Sequence, residues 1–577
     1  MTAEFDLVIR NGSVADGMGG PLVSADVAVK DGKIAAIGKI AGSGREEIDA
    51  KGKLVTPGFV DIHTHYDGQA TWDPRLNPSS WHGVTTVVMG NCGVGFAPVR
   101  VKDRERLIEL MEGVEDIPGA ALHEGLKWNW ESFAEYLDAV ESRPHDIDIA
   151  AQLPHGALRV YVMGERGAKL EAATEEDIAQ MRTLTADAMR AGALGFSTSR
   201  TLNHKTVKGD PTPSLRATEA ELVGIAQGMK DAGTGVFEMI SDFNQPDMLT
   251  EFGMIRRIVE GSGRPLTLSL AQGHSSSQGW RKILELIEKS SDAGLPIKAQ
   301  VAPRPIGVLL GLQGTINPFI THAAFQPIKD KPLAEKVKAM KDPAFRSAVL
   351  AESAERERAH PLARGIMAFE RMFPLGNPPN YEPAKETSIA AAAARSNRSA
   401  ADIAYDLLLE DDGRAFLFAP FANFADYNLD PCGEMIAHKD CVMGLGDGGA
   451  HVGIISDANF VTYLLTHWGR DRAKGRFDLG FLVKRQTHDT ARAVGLNDRG
   501  IIAPGMKADL NVIDMETLEV EAPSMAYDLP AGGKRLLQGA KGYEATIVSG
   551  EVIYRKGKPT GALPGKLIRG PQPAPVN

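Results

Sequence analysis

Two histidines one residue apart, His63 and His65, close the apolar run in Pro57-Gly58-Phe59-Val60-Asp61-Ile62-His63-Thr64-His65-Tyr66-Asp67. In an extended chain alternate side chains share a face, so both imidazoles point the same way at the end of a buried strand. Two such imidazoles make half of a metal site, and zinc is the common occupant. The plainer alternative is two ordinary histidines, one of them packed. Other titratable residues recur where apolar runs end. Cys92 sits in Gly90-Asn91-Cys92-Gly93 and Asp447 in Gly446-Asp447-Gly448-Gly449. The cysteine is either a metal ligand or a small buried hydrophobe. An aspartate amid glycines is most often a turn residue. A thiolate nucleophile would want a histidine base within reach, but a metal accounts better for the histidine pair. Gly444-Leu445-Gly446 and Gly93-Val94-Gly95 lack the full glycine pattern of a nucleotide loop.

Thr56-Pro57-Gly58-Phe59-Val60-Asp61-Ile62-His63-Thr64-His65 resembles the amidohydrolase superfamily. Gly83-Val84-Thr85-Thr86-Val87-Val88-Met89-Gly90-Asn91-Cys92-Gly93 narrows the resemblance to its N-acyl-D-amino-acid deacylase (D-aminoacylase) branch. The resemblance covers most of the chain and implies a (β/α)8 barrel that uses a metal-activated water. It also implies that Cys92 is a zinc ligand. Asp447 would bind the metal and carry a proton from the attacking water to the leaving nitrogen. Two positions depart from the branch: Glu238 and Leu270 stand where histidines usually end the fifth and sixth strands. Glu238 can bind zinc through oxygen. The expected centre is therefore one zinc held by His63, His65 and Asp447, with Cys92 and Glu238 as further ligands and a second ion as the alternative. His274, four residues past Leu270, is a displaced ligand, a substrate contact or a loop histidine. The branch has an arginine after the barrel aspartate, but this chain has none between Asp447 and Arg470. Arg304, ending the seventh strand candidate, is the expected substitute, because a guanidinium grips a carboxylate with two parallel bonds; the alternative is a surface charge. His155, in Leu153-Pro154-His155-Gly156, resembles a His-Gly of the branch and either polarises the scissile carbonyl or packs. His451 is a similar case, expected near substrate. His360 and the seven histidines 82, 123, 145, 322, 438, 467 and 488 read as surface or structural.

The elements that must position these residues are legible as two patterns. Residues 1–57 and 491–560 carry short strands with x-Gly turns: Phe5–Arg10 ending at Asn11-Gly12, Ala25–Lys30 ending at Asp31-Gly32, then Asp509–Ile513, Ala545–Val548, Ser549-Gly550 and Val552–Tyr554. Neither end has enough strands for a stable sheet, so the two pair into one small β-sandwich domain. Between them, over 58–490, apolar runs alternate with helical patterns, which predicts an α/β fold with a parallel sheet or barrel. Counting 54–62 as the first, the strand candidates are Val84–Met89, Ile147–Leu153, Ala193–Phe196, Gly235–Ile240, Pro265–Leu270, Ile297–Val301, Phe416–Phe418 and Cys441–Leu445. That is one more than a (β/α)8, TIM-like barrel needs, with Ile147–Leu153 or Ala193–Phe196 the ones to doubt. Thr174-x-x-Asp177 opens one helix, and Thr218-x-x-Glu221 opens another with an orthodox capping box. Residues of about 320–400 are charged and helical and read as an insertion, a lid over one barrel mouth. The tail, 561–577, reads as a loose or partner-draped arm.

A chain of 577 residues is long enough for two or three cores. Its net charge of −10 shows no basic stripe, which argues against nucleic acid. Three cysteines cannot form a disulfide framework and fit a reducing compartment. No secretory signal or membrane-length apolar run is visible, so the cytoplasm is expected. The function expected is hydrolysis of the C–N amide bond of an N-acyl-amino acid, a small-molecule substrate, by a metal-dependent enzyme that by analogy is a homo-oligomer. Hydrolysis of a cyclic amide, imide or lactone is the second reading, and a non-catalytic barrel scaffold the third.

Overall fold

The computed structural model describes residues 3–359 and 368–576. The stretch 360–367, which lies within the expected insertion and includes His360, is outside the described residues. Eight parallel strands form the central sheet: β1 (Phe59–Asp61), β2 (Val84–Met89), β3 (Asp148–Pro154), β4 (Gly195–Arg200), β5 (Val236–Ser241), β6 (Leu266–Ser269), β7 (Ile297–Val301) and β8 (Cys441–Met443). They lie in sequence order from β1 to β8. Just past the strand ends the first and last meet: His65 N–H donates to Gly448 O (2.8 Å) and Asp447 N–H to His63 O (2.9 Å). The sheet is thus a nearly closed barrel. Every residue of β2, β3 and β4 is buried, as expected of strands covered by helices on one side and filled by side chains on the other.

Helices follow the strands. Among them, α1 (Arg104–Glu115) ends in left-handed Asp116 (φ 52°), α2 is Glu175–Ala191, and α3 is Glu219–Ala232. Thr174 and Asp177 make the full reciprocal capping box of α2. At α3 only Thr218 plays its part, accepting from Glu221 N; the Glu221 carboxylate turns instead to His155 and Arg159.

The surplus strand candidate was neither of the two doubted ones, since both lie in the barrel. Phe416–Phe418 belongs to Leu417–Ala422, which pairs antiparallel with Ile306–Leu310 and Phe373–Pro374 in a separate three-stranded sheet. This sheet and the helices Leu333–Met340, Ile389–Ser396 and Ala400–Gly413 share a second core built on Val308, Leu310, Phe319, Met340, Tyr405 and Leu417. It lies against loops at the C-terminal ends of the barrel strands: Leu309 N–H donates to Ile454 O and Asn423 N–H to Gln272 O.

The expected run 54–62 is two strands. Leu54–Pro57 pairs antiparallel with Leu510–Ile513 in the outer sheet, and the chain then breaks at Gly58 into β1. A Cβ at Gly58 would overlap the Thr85 side chain, so glycine permits this crossing. The outer sheet has nine strands drawn from both chain ends, and Leu7, Ile9, Val27, Val55, Val512 and Ile547 share its core. Asp31-Gly32 makes the expected hairpin turn, whereas Asn11-Gly12 is an irregularity inside the continuous strand Phe5–Val14. The tail is not loose: Leu567 and Ile568 are buried, and Ile568 N–H donates to Ile149 O at the base of the barrel. No described helix is long and apolar enough to cross a membrane.

Candidate metal centre

The barrel delivers the two histidines as the strand pattern requires. His63 and His65 follow β1, both buried, with ring centroids 5.5 Å apart. Asp61 Oδ1 accepts the His63 N–H (3.1 Å), and the closing bonds to Asp447 and Gly448 fix the backbone on either side. Asp447 arrives from β8 on a left-handed residue (φ 46°). Its Oδ1 lies 3.5 Å from His63 Nε2 and 3.6 Å from His65 Nε2. Cys92, also left-handed (φ 54°), follows β2 and places Sγ 3.3 Å from His63 Nε2. The donor atoms of His63, His65 and Cys92 all lie within 4.8 Å of one another. Glu238, inside β5, accepts the Cys92 N–H through Oε2 (3.0 Å) and keeps Oε1 buried without a hydrogen-bond partner. The five residues expected at the metal therefore converge, with Glu238 joined to the others through the Cys92 backbone.

The outer nitrogens of the two histidines are held differently. His63 Nδ1 lies 2.7 Å from Gln300 Oε1, while Gln300 Nε2 donates to Thr267 Oγ1 (2.9 Å). The amide oxygen only accepts, so the His63 proton sits on Nδ1 and the Nε2 lone pair faces the cluster. Burial pushes the His63 pKa down to about 4. His65 Nδ1 lies 3.2 Å from Glu115 Oε1. Burial opposes a charge on His65, but Glu115 and Asp447 outweigh it and push its pKa up to about 9. Burial likewise works against charge on Asp447, yet His65 and His63 hold its carboxyl well below the usual range. Burial pushes Glu238 up to about 8 and the Cys92 thiol well above its ordinary value. Two imidazoles, a thiol and carboxylates, buried with orphaned oxygen atoms and no lysine or arginine among them, suit a divalent transition metal.

The remaining expected residues fare unevenly. His451 (φ 49°) is at the site, with Nε2 3.6 Å from Glu115 Oε2. His155 opens the helix after β3, but both ring nitrogens are engaged, Nδ1 with Thr198 Oγ1 (2.8 Å) and Nε2 with Glu221 Oε1 (2.9 Å). It packs on Phe196 within a buried Glu221–Arg159 network, so of the two readings the structure supports packing rather than carbonyl polarisation. Arg304 is also a correction. It is buried, stacked between Tyr381 and Phe460, and bonded to Asn459, Asp457 and the carbonyls of Ser456 and Pro305. Its fork ties loops together and is not free for a substrate carboxylate. His274 is half-buried with Nε2 unpartnered, and its low pKa of about 4 reflects burial and then nearby Arg371; no contact joins it to the cluster.

Three neighbours were not anticipated. Glu115 and Gln300 orient the histidines from behind. His204, bonded to Ser199 Oγ (2.9 Å), has its pKa pushed down to about 3 by burial, with the nearby His451 and His65 rings adding to the effect. Only Gln300 carried a local signal, as a polar residue inside an apolar strand.

A model of the amidohydrolase family matches residues 46–554. The chain belongs to the amidohydrolase family. Within the family, it is 34% identical over 230 residues to a D-aminoacylase of Alcaligenes xylosoxydans xylosoxydans, covering 40% of this chain and 43% of that one. It is 26% identical to the N-acyl-D-glutamate deacylase of the same organism over 99% of this chain and 97% of that one. A solved D-aminoacylase with a binuclear metal centre superposes with a TM-score of 0.64 at 24% identity, covering 98% of this chain and all of that one. The N-acyl-D-glutamate deacylase of Bordetella bronchiseptica, solved with zinc and a phosphonate inhibitor, gives 0.63 at 23%, covering 98% and 99%. These likenesses bear out the resemblance to the D-aminoacylase branch, and the structural ones the barrel with its small β domain.

Proposed function

We propose that this amidohydrolase cleaves the amide bond of N-acyl-D-amino acids using one zinc ion held by His63, His65, Asp447 and Cys92. The observation that carries the reading is the convergence of two imidazole Nε2 atoms, a carboxylate oxygen and a thiol on one buried point at the C-terminal mouth of the barrel, the end where barrel enzymes place their chemistry. The relatives named for deacylation of N-acyl-D-amino acids support the substrate class. Zinc held by these residues would supply Lewis acidity and make a water acidic enough to give up its proton near neutral pH. Asp447 takes the proton of the attacking water on its carboxylate and returns it to the departing nitrogen, which must be protonated to leave. Neighbouring His65 and His63 keep its carboxyl ionised at neutral pH. His63, fixed by Gln300, offers a neutral lone pair. His451, 3.6 Å from Glu115 Oε2, and His204, bonded to Ser199, are the further imidazoles near the cluster. Glu238 braces the Cys92 backbone.

The test is the metal content of purified wild-type protein and Asp447→Asn by mass spectrometry, with assays on N-acyl-D-amino acids, their L-enantiomers and cyclic amides. Near one equivalent of zinc and chelator-sensitive release of amino acid from the D-substrates is expected. Absence of metal after growth in supplemented medium would overturn the mechanism. Activity confined to cyclic amides would overturn the substrate class.

A further inference from the structure

The two ligand histidines have unlike supports: a neutral amide stands behind His63 and a carboxylate behind His65. That carboxylate belongs to Glu115, the last residue of α1, with only 1% of its surface exposed. Oε1 lies 3.2 Å from His65 Nδ1 and Oε2 lies 3.6 Å from His451 Nε2. Neither His65 Nδ1 nor Glu115 Oε2 has a hydrogen-bond partner in this geometry, so the contact is a close electrostatic one, off the line of a hydrogen bond. Its two oxygens thus each lie against an imidazole, with Cys92 and Asp67 also near, in the interior of the cluster.

The backbone around Glu115 is anchored for this placement. Asp116 turns left-handed and its Oδ2 accepts Thr315 Oγ1 (2.9 Å) and Gly453 N–H (3.1 Å). Val452 N–H donates to Glu115 O (3.3 Å). A Cβ on Gly453 would overlap Thr315 and Asp116, so the loop carrying His451 approaches this helix end as only glycine allows. The end of α1 is thereby pinned to the barrel mouth by three bonds that do not involve the Glu115 side chain.

We propose that Glu115 is a positioning residue for the metal centre, holding the His65 ring so that Nε2 faces Asp447 and strengthening it as a donor. An ionised carboxylate can only accept, so it selects the His65 tautomer with its proton on Nδ1. Carboxylates behind ligand histidines orient the ring and raise its basicity, and their loss costs about 10–100-fold in metal affinity. The proposal rests on His65 being a metal ligand.

The experiment titrates zinc into metal-free wild type, Glu115→Gln and Glu115→Ala against a chromophoric chelator, and records thermal unfolding of each with and without zinc. Zinc affinity is expected to fall about 10–100-fold in Glu115→Ala, and by less in Glu115→Gln, which keeps an acceptor of nearly the same shape. The rise in unfolding temperature on adding zinc should shrink in the same order. Variants that unfold earlier with and without zinc alike, but bind it as wild type does, would make Glu115 structural and overturn the proposal. Failure of both variants to fold would do the same. A wild type that binds no zinc would bring down the metal-centre reading and this proposal together, which separates that failure from one confined to Glu115.

Discussion

Among the residues at the cluster, Asp447 and His65 carry opposite charges before any metal arrives, and each sustains the other's charge against burial. Under the proposed mechanism, replacing Asp447 by asparagine removes both a donor and the proton carrier. We expect kcat to fall about 10²–10⁴-fold, with a smaller change in KM, measured on the best N-acyl-D-amino acid. The proton inventory gives a second expectation. A metal needs His65 neutral and Cys92 as thiolate, yet the pKa of His65 is pushed up to about 9 and the Cys92 thiol well above its ordinary value. Binding must therefore expel protons at neutral pH. Zinc added to metal-free protein in weak buffer at pH 7 should release protons, and affinity should rise with pH towards about 9; pH-independent binding would count against these residues as the ligands. Arg304 carries the opposite lesson. From sequence it looked like a carboxylate clamp, because a strand-end arginine is compatible with either role. Its engagement with Asp457, Asn459 and Tyr381 depends on loops far along the chain that no local pattern announces.

The elements show where sequence is informative and where it stops. The barrel strands were legible because short apolar runs alternate with capped helices, and the candidate ligands His63, His65, Cys92 and Asp447 because they follow the ends of those runs. Phe416–Phe418 misled because apolar content reports burial, and a strand in a neighbouring sheet is buried as well. Glu115 closes a helix without any residue pattern that points to His65. The joint between the three-stranded sheet region and the barrel also depends on one carboxylate. Glu382 accepts from His467 Nε2 (2.7 Å), Arg472 Nη2 (3.0 Å) and Leu429 N–H (2.9 Å). Burial alone would raise its pKa, but His467 and Arg472 hold it down at about 2. A carboxylate lowered on folding stabilises above its unfolded value and loses that contribution as pH falls through the folded one. The window here runs from about pH 4.5 down to about 2. Glu382→Gln should cost about 1–3 kcal/mol at pH 7 once solvent screening is allowed for, and the gap to wild type in urea melts should close as the pH is lowered through that window. An undiminished gap would show that the loss comes from packing instead.

At the scale of the whole molecule, the outer sheet, the barrel base and the tail meet around one buried aspartate. Asp148 opens β3; its Oδ2 accepts Arg499 (2.6 Å) and pairs with Lys507 (2.8 Å), while Oδ1 accepts Lys566 N–H (2.9 Å) from the tail. Arg499 also reaches Thr86 in β2 (2.8 Å), and Lys507 reaches Asp509 (2.6 Å), whose carbonyl receives Gly58 N–H at the crossing into β1. The chain ends are thus fastened to β1, the strand that leads to His63 and His65. The tail's proline and glycine content suggested a loose arm because composition reports the absence of helix and strand, not the absence of docking. Its backbone instead pairs along the barrel base, with Gly570 N–H on Gly192 O and Gln572 N–H on Gly495 O, and it buries Leu567 and Ile568. Full burial of such side chains contributes about 1.5–3 kcal/mol each. Deleting 564–577 should therefore lower stability by several kcal/mol, and Asp148→Asn, which leaves Arg499 and Lys507 short of a partner, by about 3–5 kcal/mol. Because one of the tail's bonds ends on Asp148 itself, the two changes made together should cost less than their sum. Urea melts of the four proteins test this; strict additivity would mean that the tail and the ion cluster stabilise the base independently.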